Sequence, residues 1–89
     1  MLNTYRINYN LKTYWEGEKL THTQVIASSE AEAEQLFKEF ADSTIKEYCD
    51  YEFLKAEIVN DSFLDQKYLE KHYQRQIAYI KRRKNESKK

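Results

Sequence analysis

Thr4-Tyr5-Arg6-Ile7-Asn8-Tyr9-Asn10-Leu11-Lys12-Thr13-Tyr14-Trp15 is the stretch that decides the fold. Tyr5, Ile7, Tyr9, Leu11 and Trp15 fall on one side of a period-two pattern, and Arg6, Asn8, Asn10 and Lys12 fall on the other. A strand sends successive side chains to opposite faces, so this segment reads as a strand with one aromatic face and one polar face. Directly after it, Glu16-Gly17-Glu18-Lys19 holds the chain's single glycine, which reaches positive φ at no steric cost. A second β-rich run follows from Leu20 to Ala27, and the two runs read as a hairpin. Val25 and Ala27 share one side of the second strand and Leu20 and Ile26 the other, which leaves its buried face open.

Working outward, Ser29-Glu30-Ala31-Glu32 has the form of a capping box, in which the serine hydroxyl satisfies an orphan N–H and the glutamate reaches back. Ala33, Leu36, Phe37, Phe40 and Thr44 then recur at helical spacing, while Glu30, Glu32, Glu34 and Glu39 form a solvated side near the positive helix end. Between Asp42 and Asp50, Ile45, Tyr48 and Cys49 suit either an extension of that helix or a short second one. Tyr51 to Val59 reads as a third strand, with Leu54, Ala56 and Ile58 on one face and Tyr51, Phe53 and Val59 on the other, which predicts a cover on each face. Asn60-Asp61-Ser62 supplies turn and cap residues, and nothing breaks a helix from Phe63 to Lys84. Leu69, Tyr73, Ile77 and Ile80 form its apolar stripe. At about 33 Å it should outrun a six-residue strand of about 20 Å, so its end is expected to project beyond the sheet.

The order strand, strand, helix, strand, helix predicts an α+β fold: a single ββαβα domain over residues 1–84, followed by a frayed basic tail at 85–89. The expected arrangement is a three-stranded, mainly antiparallel sheet in the order 2-1-3, with one helix packed on it. The long basic C-terminal helix would lie on the other face or along an edge. A parallel pairing of the third strand beside the second is the alternative. Ile7, Tyr9, Leu36, Phe37, Phe40 and Leu54 are the expected shared core.

A chain of 89 residues accommodates one hydrophobic core. Its lone Cys49 closes no internal disulfide and, with His22 and His72, shows no zinc-ligand spacing. One glycine is too few for a glycine-rich phosphate loop, and the carboxylates of the first helix point outward instead of converging. The expectation is a non-enzyme with no cofactor and no metal. No apolar run approaches the roughly 18 residues of a membrane span, and Met1 to Arg6 lacks the zones of a signal peptide, so a cytoplasmic location without a membrane partner is expected.

Charge is segregated along the chain. Residues 1–65 carry 6 Lys/Arg against 13 Asp/Glu, and residues 66–89 carry 9 against 2, so a net charge of zero conceals an acidic body and a basic C-terminal helix. Lys67, Lys71 and Arg75 recur at i, i+4 on one helix face, and Lys81, Arg82 and Arg83 crowd its end. These cations suit phosphate or an acidic protein surface, and Tyr68, Tyr73 and Tyr79 could add stacking. Tyr14 and Trp15, beside the hairpin turn, are residue types enriched where proteins bind one another. The candidate partner-binding set is therefore Lys67, Lys71, Arg75, Tyr79, Lys81, Arg82, Arg83, Tyr14 and Trp15. A bland reading stands beside it, in which the cations favour the negative helix end and cover the acidic body.

Val25-Ile26-Ala27-Ser28-Ser29-Glu30-Ala31-Glu32-Ala33, a strand entering a Ser-capped Glu/Ala helix, resembles the start of small phage and mobile-element proteins of the DpnD/PcfM-like type. The resemblance covers about the first 40 residues and carries no functional residues over. Lys, Asn, Tyr and Ile, all with AT-rich codons, make up 30 of the 89 residues, which points the same way. What the resemblance implies is an accessory protein of anti-CRISPR or counter-defence type that binds a host macromolecule. The expected function is to occlude or regulate a host nucleic-acid-handling protein or nucleoprotein. Direct nucleic-acid binding is the alternative, and a homodimer is left open.

Overall fold

In the computed structural model, which describes residues 1–59 and 65–87, the N-terminal alternation is strand β1 (Asn3–Thr13). It pairs antiparallel with β2 (Gly17–Ala27), in register from Asn3↔Ala27 to Thr13↔Gly17. Gly17 adopts a φ of 73° at the turn. The Thr13 hydroxyl locks it, accepting from the Glu16 N–H at 3.1 Å and donating to the Gly17 carbonyl at 3.0 Å. Strand β3 (Asp50–Val59) pairs antiparallel with the other side of β1, giving the order β2-β1-β3 with the alternating segment at the centre. Tyr5, Ile7 and Tyr9 of β1 are buried with Val25 and Ala27 of β2, which settles the face of β2 that the sequence leaves open.

Helix α1 (Glu30–Ser43) covers that face. Ser29 Oγ accepts from the Glu32 N–H at 3.1 Å, as the capping box predicts. The glutamate reaches one residue further back than expected: its Oε1 accepts from the Ser28 N–H at 2.7 Å and from the Ser28 hydroxyl at 3.1 Å. Phe37 is fully buried among the rings of Tyr9 at 4.8 Å, Tyr51 at 5.5 Å and edge-on, and Phe53 at 6.3 Å. The helix ends where Thr44 Oγ1 donates to the Phe40 carbonyl at 2.6 Å, and a 3-10 turn at Ile45–Glu47 leads to β3.

Two expectations fail in β3 for a single reason. Leu54, expected in the core, is 45 % exposed, and the two faces do not each need a cover. The register passes from Asn8↔Lys55 to Tyr9↔Phe53, so Leu54 is an extra, bulged residue without an opposite number. That one-residue slip moves Tyr51 and Phe53 to the face occupied by Ala56, and all three pack against the core.

Helix α2 (Gln66–Ser87) starts at Asp65, whose carboxylate accepts from the Tyr68 N–H at 2.8 Å. Phe63 and Leu64, expected in its first turn, lie outside the described residues. Its stripe is where the sequence puts it: Leu69 and Ile80 are buried, and Tyr73 and Ile77 pack against the core. The Tyr73 hydroxyl donates to Glu32 Oε2 at 3.0 Å and Lys84 reaches Glu39 at 3.5 Å, so α2 runs parallel to α1. It lies along the sheet edge formed by β2, where the Gln76 side chain accepts from the Ile26 N–H at 2.9 Å and donates to the Ile26 carbonyl at 2.8 Å. The C-terminal part does not project free, because Tyr79 lies 6.1 Å from Phe40 and Lys84 is tied to α1. The tail expected at 85–89 is helical through Ser87.

Candidate functional site

Every side chain in the candidate set sits on α2 or at the hairpin tip, and the structure divides the set into three. Tyr14 and Trp15 occupy the loop between Thr13 and Gly17, 92 % and 75 % exposed, where the tight turn leaves them no core to join. The start of α2 is at the opposite end of β1, where Gln66 exchanges two hydrogen bonds with the backbone of Leu2 at 3.0 and 2.9 Å. Some ten residues of strand, roughly 30 Å, separate the two places, so the hairpin aromatics and Lys67 share no surface patch.

At the far end of α2, Arg82, Arg83 and Lys84 are engaged. Arg82 and Arg83 pair with Glu86 at 3.5 and 3.3 Å, Arg83 is half-buried, and Lys84 pairs with Glu39. Lysine and arginine here oppose the negative helix end, so the bland reading accounts for this part of the helix.

The third group behaves differently. Among the described residues, Lys67, Lys71, Arg75 and Lys81 are exposed and make no ion pair. Lys67 and Lys71 stand in the first two turns, where the helix presents its positive end, and beyond the capping Asp65 carboxylate the first turn holds no acidic residue. Neither the helix dipole, nor pairing, nor packing explains cations at these positions.

Beside Arg75 lies an open groove of about 560 Å³ between α2 and the uncovered face of the sheet. Tyr68, His72 and Tyr79 line it from the helix, and Thr4, Gln24 and Ile26 from β1 and β2. The rings of Tyr68 and His72 meet at 4.2 Å between centroids, tilted by 49°, and Tyr68 and Tyr79 are each about half exposed. Flat aromatic faces, one guanidinium and unpaired lysines can hold an anionic, planar or extended partner. Of the tyrosines that the sequence offers for stacking, Tyr68 and Tyr79 line the groove and Tyr73 instead bonds Glu32; Gln24 has no signal in the sequence, because the wall supplied by the sheet lies more than 40 residues away along the chain.

His22, His72 and Cys49 stand on β2, on α2 and at the entry to β3, and no group of three His, Cys, Asp or Glu side chains lies together among the described residues. No helix among the described residues is long and apolar enough to cross a membrane. Comparison of the chain with protein-family models, with curated proteins and with solved structures finds no match.

Proposed function

We propose that this chain is a non-catalytic binding protein whose α2 face, built on Lys67, Lys71 and Arg75, occludes an anionic surface of a nucleic-acid-handling protein of its host. The observation that supports this reading most is the placement of unpaired lysines at the positive end of a helix, where they cost stability and serve no packing. Tyr68, His72 and Tyr79 beside them supply rigid area at low entropic cost. The resemblance of residues 25–33 to small phage and mobile-element proteins adds the setting, a counter-defence or regulatory protein acting in a bacterial cell.

Direct binding of single-stranded nucleic acid is the second reading, favoured by the exposed stacking surfaces beside Arg75. The acidic remainder of the chain opposes any wrapped mode on a duplex. One experiment separates the two. Wild type, K67E/K71E/R75E and the control R82E/R83E are used as bait in a low-GC bacterial lysate and, in parallel, in mobility shifts with mixed single- and double-stranded DNA and RNA. A protein captured by wild type and control but lost by the triple reversal, with no shift at tens of micromolar, supports the first reading. A shift that weakens steeply with salt and needs the same three residues replaces it with the second. Equal behaviour of all three variants removes both.

A further inference from the structure

Among the described residues, the sheet's two outer edges differ: that of β2 is covered at its Ile26 end, and that of β3 is not. Gln76 occupies the Ile26 backbone on β2, and this contact also sets the phase of the whole sheet. Ile26 turns its N–H and C=O away from β1, so its neighbour Thr4 turns its own toward β3. Thr4 is opposite Val59, and alternation along β3 then leaves Ala56 and Ile58 with N–H and C=O directed outward from the sheet. Leu54 and Ile58, 45 % and 55 % exposed, flank this row.

The five residues concerned read Leu54-Lys55-Ala56-Glu57-Ile58: apolar, cation, small, anion, apolar. We infer that the outer edge of β3 pairs antiparallel with the same edge of a second copy of this chain, about a two-fold axis through Ala56. In that register Lys55 stands opposite the partner's Glu57, and Leu54 opposite the partner's Ile58. Ala56 faces its own counterpart as a hydrogen-bonded pair on the axis. Charged residues on an edge strand ordinarily deter pairing, because like meets like or a charge meets an apolar side chain. Here the order of charges is self-complementary under a two-fold axis, so the same residues favour this register and oppose those centred on Lys55 or Glu57, which set like charge against like. Lys55 and Glu57 lie 2.6 Å apart within the chain, and pairing extends this contact into a four-charge cluster across the axis. The product is a six-stranded sheet in which the bulge at Leu54 recurs on both sides of the axis, and it leaves α2 and its groove at the two far edges.

Sedimentation equilibrium of the full chain from micromolar to millimolar concentration tests this, with wild type, K55E, K55E/E57K and A56P. Wild type should dimerise. K55E sets glutamate against glutamate twice and should weaken the dimer about tenfold or more, and the double swap should restore it. A56P, at an outward-facing N–H where proline fits an edge strand, should be monomeric. Circular dichroism confirms that each variant is folded, and the recovery from K55E to the double swap does not depend on A56P folding. A wild type that stays monomeric throughout overturns the inference. So does a dimer that none of the substitutions affects, or one that K55E weakens and the swap fails to restore.

Discussion

β2 and β3 flank the same central strand and are of similar length, yet their outer edges differ. Along β2, α2 lays Leu69 and Ile80 into the core, and the Gln76 amide stands in for the next strand at Ile26. β3 has its inner face covered by α1, but its outward backbone at Ala56 and Ile58 meets no element of the described chain. One end of a sheet edge can therefore be capped by one helix and one side-chain amide, without another strand, provided the helix is anchored by apolar burial close by.

The largest effect should come from removing that anchor. Ile80→Ala, at a buried site between β2 and α1, should cost about 2–5 kcal/mol. Thermal melts read the loss, and hydrogen exchange should show the Ile26 amide deprotected more than the amides shared between β1 and β3. Ile58→Ala on the open side should change monomer stability by about 0.5 kcal/mol or less. If the two variants melt alike, the edges are equally loose and the contrast fails.

Gln76→Ala should come next, at about 1–3 kcal/mol, because it strands a half-buried N–H and C=O together. Gln66→Ala makes the same deletion against the Leu2 backbone, where the bonds are exposed and water substitutes, and should cost about 0.5 kcal/mol or less. Urea titrations of the pair measure what the burial of that edge adds to an otherwise identical bond.

Glu32 joins the end of β2, the start of α1 and the middle of α2. The Ser28 N–H, then the Tyr73 and Ser28 hydroxyls, hold its carboxyl below the usual range against the opposing pull of burial. A depressed folded pKa gives stability that is present above the unfolded value near 4.3 and lost as pH falls through the folded one. Glu32→Gln should flatten the acid limb of a melting-temperature profile. On the β3 side burial, with the Asp42 carboxylate bonded to its hydroxyl at 2.9 Å, pushes Tyr51 up to about 12. A raised pKa works the other way: its contribution is intact below about 10 and lost as pH rises through the folded value. Tyr51→Phe should remove that alkaline limb and leave the acid one, the smallest of these effects.

How much of this was legible differs between the same two strands. β1, the hairpin, the α1 cap and the α2 stripe all follow from periodicity and capping, which are local. The strand order 2-1-3 is the expected arrangement, with a parallel pairing of the third strand beside the second as the alternative, and the antiparallel pairing of β3 with β1 decides between them. β3 is where the reading departs from the structure, because a bulge leaves composition untouched and shifts parity by one: Leu54 is expected in the core, and Tyr51 and Phe53 on an opposite face that needs its own cover. The role of Gln76 had no signal at all, since a glutamine on a helix is ordinarily solvated and its backbone partner lies 50 residues away. In the candidate site, the helical repeat of Lys67, Lys71 and Arg75 was readable. Which cations are neutralised was not, because Lys84 finds Glu39 only after α1 and α2 pack side by side.

The two glutamine contacts of α2, at Leu2 and at Ile26, are ten residues apart on the helix, a distance of about 15 Å. Two such pins stop a rod from both rolling and sliding. The backbone under Lys67, Lys71 and Arg75 is therefore aimed before any partner arrives, and association has only the outer rotamers of a few long side chains to freeze, about 0.5–1.5 kcal/mol each. Releasing the pin at Leu2, which lies outside the groove, should slow the capture of a partner or weaken its hold without altering a residue that lines the site.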